Sequence, residues 1–194
     1  MTVALQRTDE EMRQAAITTK KRAPPSGFTK YITDTELRML DEWFEDKGDN
    51  YRLVYALMKY CGLRISDAVR INESWLQGEN IVFTMHKTNK CLVAYLPKKL
   101  REWIYDHYIP THQDKFKRGF LAYNNGEYSS RGQENDHLQS GSVRATFCRF
   151  RKFYDLRDVY HRGRDGRPYH RISPHTLRHV FAEKAYSVTG HDVK

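Results

Sequence analysis

The chain is short of cysteine. It has three among 194 residues, Cys61, Cys91 and Cys148, widely spaced and with no CxxC pair. That excludes a disulfide framework and a zinc ribbon, and it favours a reducing, intracellular setting. No apolar run approaches the ~20 residues of a membrane span. The opening MTVALQRTDEEMRQAAITTKKR holds no apolar core, so no secretory signal is expected. No internal repeat is found. Acidic residues are the minority, 24 against 33 Lys and Arg, for a formal charge of +9. This surplus favours a polyanionic partner. The 39% hydrophobic and 13% aromatic content suffices for a packed core, and the length suits one domain.

Residues 1–27 end in the basic, proline-containing run Lys20–Gly27 and read as a flexible arm or linker, either DNA-contacting or simply solvated. The domain is expected over 28–194. Thr33 or Asp34 caps a helix carrying Leu37, Leu40 and Phe44, with Trp43 beside them, that ends near Gly48. Leu53, Val54, Leu57, Met58 and Cys61 repeat the pattern up to Gly62. Ser66 reads as the cap of a short helix over Asp67–Ile71. Two strands are expected at Asn80–Met85 and Cys91–Leu96, joined by the basic turn His86–Lys90. Pro97 opens a helix with Leu100, Trp103, Ile104 and Tyr108 on one face, and Pro110 closes it. Phe120–Tyr123 is a candidate third strand. Ser142 is expected to cap a helix bearing Val143, Phe147, Phe150 and Tyr154, followed by a basic loop over His161–Arg167. Ser173-Pro174 starts a last helix with Leu177, Val180, Phe181, Ala185 and Val188 as its stripe. The expected fold class is α+β, mostly helical, with a small antiparallel sheet of two or three strands.

The positive charge is uneven. From Gly141 to Arg178 ten Lys and Arg face three Asp, a surplus of seven. This is more one-sided than an ordinary solvated surface. Arg144, Arg151, Lys152, Arg162, Arg164, Arg167 and Arg171 are the candidates for a nucleic-acid face, with Lys90 in the hairpin turn. His175 and Arg178, three apart, share a face of the first helical turns, where free N–H groups favour an anion. A guanidinium fork and an imidazole aimed at one anion suit a phosphate. His175 and His179 also have metal-ligand spacing. The residues between them are Thr-Leu-Arg and no third ligand is evident, so no metal is expected.

Three segments, Gly62-Leu63-Arg64, the hairpin lysine Lys87, and His175-Thr176-Leu177-Arg178-His179, occur in this order. In these the sequence resembles the catalytic domain of the tyrosine recombinases, the phage-integrase superfamily, over about Thr29 to Lys194. The resemblance implies that Arg64 and Arg178 grip the scissile phosphate of DNA, assisted by His175. It makes Lys87 the general acid, with Lys90 as a rival, and Asp67 and His179 supporting residues. A tyrosine would attack the phosphodiester to give a 3′-phosphotyrosyl link, without ATP, metal or other cofactor. Duplex DNA and self-association on it, in a tetrameric synapse, are the implied partners.

The sequence departs from the family pattern at the nucleophile, which in the family lies well downstream of the second arginine. Only 16 residues follow Arg178. Tyr186, eight residues on, lies about 12 Å along a helix axis from Arg178, too far for one phosphate. Nothing supports the loop-borne Tyr169. The nucleophile is therefore expected outside these residues, the catalytic domain incomplete at its C-terminal end, and this fragment inactive alone. The competing readings are a non-catalytic duplex-DNA-binding module of the same fold, a type IB topoisomerase-like domain, and an RNA-binding structural protein.

Overall fold

The protein is described by a computed structural model over residues 32–124, 136–156, 159–162 and 168–189. Helix α1, Asp34–Glu45, begins at a full capping box. The Thr33 hydroxyl accepts the Glu36 N–H, and the Glu36 carboxylate accepts the Thr33 N–H. Its Leu37, Met39, Leu40 and Phe44 are buried. Helix α2, Asp49–Tyr60, is buried over most of its circumference, from Leu53 through Met58. Such a helix must be surrounded, and α2 packs against α1, against the short helix α3 (Ile65–Ala68) and against the last helix, α7 (Pro174–Thr189).

The sheet is antiparallel, with strands β1 (Leu76–Gln77), β2 (Asn80–Thr84) and β3 (Cys91–Tyr95) in the order β1-β2-β3. Phe83 faces Leu92 and Ile81 faces Ala94. Buried Ile81, Phe83 and Ala94 turn one face of the sheet into the core. Helix α4 (Lys98–Glu102) continues through a π-type turn, Trp103–Tyr108, into α5 (Ile109–His112). Helix α6 (Ser140–Phe153) buries Val143, Phe147 and Phe150. A two-stranded ribbon, β4 (Val159–Arg162) with β5 (Pro168–His170), precedes α7. The architecture is mostly helical with a small three-stranded antiparallel sheet.

Several local expectations are revised. The third strand is Leu76–Gln77, not Phe120–Tyr123. The latter segment spends its backbone groups elsewhere: Leu121 N–H on Ile71, the Leu121 carbonyl on the Tyr108 hydroxyl, and the Ala122 carbonyl on Leu138 N–H. The expected loop at 161–167 is flanked by the paired β4 and β5, whose Val159, Tyr160 and Tyr169 are good strand formers among arginines and glycines. Pro110 does not end its helix. Proline removes one helical bond and crowds the carbonyl four residues back, and the wider register just before it, with Ile109 N–H on the Ile104 carbonyl, accommodates both. Ser66 and Ser142 lie inside their helices, whose N-cap positions are taken by Arg64 and Gln139 without a side-chain capping bond.

Candidate active site

The site is built where α2 stops. Gly62 takes φ +64°, a left-handed turn that a side chain disfavours. A Cβ there would sit 2.4 Å from the Phe181 ring of α7, so the missing side chain also lets α7 dock. The Gly62 carbonyl accepts the Arg178 guanidinium at 2.6 Å. Two residues on, Arg64 takes the N-cap position of α3 in extended conformation. The two arginines are close enough to feel each other. Burial lowers the Arg178 pKa, the charge of Arg64 lowers it further, and Asp67 partly offsets both. Two neighbouring half-buried cations can hold the oxygens of one anion between them.

Asp67, buried on α3, ties this arginine pair to the hairpin. Its Oδ1 accepts the His86 N–H at 3.0 Å. Arg64 makes a second tie, its Nη1 donating to Met85 Sδ at 2.9 Å. The turn is closed by Met85 N–H on the Lys90 carbonyl and Asn89 N–H on the Met85 carbonyl, both 2.9 Å. Lys87 and Lys90 are exposed on this turn.

Helix α7 begins at Ser173-Pro174, with Ser173 Oγ 3.4 Å from the Thr176 N–H it accepts and 2.7 Å from Thr176 Oγ1. On its first turns His175 is exposed. Its ring meets that of His179 edge to face, with the two Nε2 atoms 3.2 Å apart. Among the described residues no group of three His, Cys, Asp or Glu could hold a metal ion. Cys61, just before the turn, is buried, and burial pushes its thiol up to about 12.

Helix α6 presents Arg144 and Lys152 to solvent, together with Arg149, which the charge count included but the candidate face did not. Arg151 and Arg171 are differently placed, and we assign them to the fold. The Arg151 guanidinium is buried and donates to the Ile172 carbonyl at 2.8 Å, and burial holds its pKa below the usual arginine range. Arg171 forks onto the buried Glu36 carboxylate at 2.5 and 2.6 Å. Burial alone would raise the Glu36 pKa. The Arg171 hydrogen bonds and charge, with the Thr33 backbone and side-chain hydrogen bonds, bring it below the ordinary value instead. Arg162 lies on β4 with its side chain outside the described set, and Arg164 and Arg167 lie outside the described residues.

The fold is that of the tyrosine recombinase catalytic domain. It superposes on XerH site-specific recombinase bound to its difH substrate with a TM-score of 0.57 and 19% identity, covering 87% of this chain and 46% of that one. For XerA recombinase the figures are 0.57, 14%, 97% and 64%. For a lambda integrase dimer bound to a COC′ core site they are 0.52, 17%, 96% and 55%. The chain thus spans between about half and just under two thirds of the length of these structures. No curated protein matches it by sequence. The phage integrase family model matches residues 30–191, and the chain belongs to that family.

Proposed function

We propose that residues 28–194 are a DNA-binding catalytic domain of a site-specific recombinase or integrase, preceded by a basic arm over 1–27. The observation that carries this reading is the junction of Arg64, Arg178 and Asp67 with the lysine-bearing hairpin around the Gly62 turn. In the proposed step Arg64 and Arg178 bind the non-bridging oxygens of one DNA phosphate and stabilise the charge that builds there. His175 donates to the same group. A tyrosine oxygen attacks phosphorus and gives its proton to solvent, and the bond to the 5′-oxygen breaks to give a 3′-phosphotyrosyl link. Lys87 delivers a proton to the departing 5′-oxygen.

The tyrosine is assigned to a residue outside these 194, so the chain alone binds duplex DNA without cutting it. Exposed Arg144, Arg149 and Lys152, with Lys90, supply sequence-independent phosphate contacts. Two lambda integrase dimers on DNA and a tetramer on a Holliday junction are among the structures of this fold, which supports self-association of this chain on duplex DNA. No described helix is long and apolar enough to cross a membrane, and the reading places the protein with intracellular DNA.

The test uses the product of the complete reading frame. Arg64→Ala, Arg178→Ala and Lys87→Ala should each abolish strand cleavage while circular dichroism stays unchanged. A substrate with sulfur in place of the scissile 5′-oxygen leaves as a thiolate, which needs no proton. It should restore cleavage to Lys87→Ala and not to Arg64→Ala. Normal cleavage by all three variants would make the assignment wrong. Duplex binding with no cleavage by the parent protein would favour a purely binding module.

A further inference from the structure

The acceptor that Arg64 uses is a sulfur. Its Nη1 donates to Met85 Sδ, and a thioether is a weak, uncharged acceptor. The sulfur is nonetheless well anchored. The Met85 main chain is bonded through both its N–H and its carbonyl across the hairpin turn, and the next residue is held by Asp67. The Met85 side chain is half-buried against the core. Arg64 meanwhile stands beside Arg178, and like charges push apart. Without a holding contact a long, half-buried arginine side chain would swing away toward water.

The chemistry of the holder matters. A carboxylate at position 85 would grip Arg64 strongly and cancel the charge that a phosphate needs. An aliphatic side chain would fill the space and hold nothing. A thioether lies between, directing the guanidinium while leaving its charge and its other N–H groups free.

We propose that Met85 is the positioning residue of Arg64, holding its guanidinium on the hairpin platform by a contact weak enough to leave the charge available to a phosphate. The proposal rests on the reading of Arg64 as a phosphate-binding residue, and the test separates the two.

The measurement is the side-chain ¹⁵N relaxation of Arg64 Nε–H in the 194-residue chain, assigned by its loss in Arg64→Lys. It is made with and without a short DNA duplex. In the parent protein Arg64 should be ordered, and its resonance should shift when duplex is added. In Met85→Leu, of similar volume, its order parameter should fall into the flexible range, below about 0.6, at unchanged melting temperature. In Met85→Glu Arg64 should stay ordered but lose its response to duplex, with affinity at least tenfold weaker. An Arg64 as rigid in Met85→Leu as in the parent, or a Met85→Glu protein that binds duplex normally, overturns the proposal. If duplex binds the parent without moving the Arg64 resonance, the phosphate-binding reading fails instead. The Met85→Leu order parameter still decides whether Met85 holds the side chain.

Discussion

At the scale of single residues, Gly62 does three things that no other residue could do together. It turns the chain with positive φ, it leaves room for the Phe181 ring, and it aims its carbonyl at Arg178. Gly62→Ala should therefore destabilise the fold by about 2–4 kcal/mol, combining left-handed strain with overpacking. Adding Phe181→Ala should remove the packing part and leave the strain, which urea denaturation of the single and double variants would show. Glu36 gives a second prediction. Its folded pKa lies below the ordinary value of 4.5, so below that pH the unfolded chain binds more protons than the folded one. The stability that the Glu36–Arg171 pair contributes is then present above pH 4.5 and lost as pH falls through the folded value. Glu36→Gln should flatten the acid limb of a stability–pH curve relative to the parent, and an unchanged limb would mean that the pair contributes little.

Elements were legible where the signal is local. The Thr33 or Asp34 cap with acidic Glu36 in the first turn, the paired β-branched runs of the hairpin and the Ser173-Pro174 start all stand in short windows, and the structure has helices and strands there. Arg151 and Arg171 were not legible. Their partners are a carbonyl 21 residues away and a carboxylate 135 residues away, and no periodicity encodes such pairs. A basic run therefore looked like one continuous face, whereas the fold buries Arg151 and turns the half-buried Arg171 onto a buried carboxylate. The same reasoning gives α6 a sharp test. Only its exposed cations can reach phosphate, so Arg144→Ala, Arg149→Ala and Lys152→Ala together should lower the log–log salt slope of duplex binding by up to roughly 0.9 per lost contact. Arg151→Ala should instead lower thermal stability and leave the slope alone.

On the scale of the whole molecule, the site is a meeting point of three stretches far apart in sequence: the end of α2, the β2–β3 turn and the start of α7. Each carries a short motif that says little by itself, and it is the three together, in order, that carry the resemblance. Their convergence depends on the burial of α2, which lets α3 and α7 pack against it, and that was not written in any one window. The sheet shows what the arrangement leaves open. Among the described residues β3 has a strand neighbour on one side only, and its Val93 and Tyr95 are 62% and 59% exposed on a single face. A free backbone edge beside apolar side chains invites pairing between copies, opposed here by the mutual repulsion of a +9 chain. Concentrated, high-salt stocks, in which that repulsion is screened, should scatter light increasingly with time. Val93→Lys should keep them clear at equal melting temperature, and the colloidal life of the protein in storage would then be governed by one strand edge.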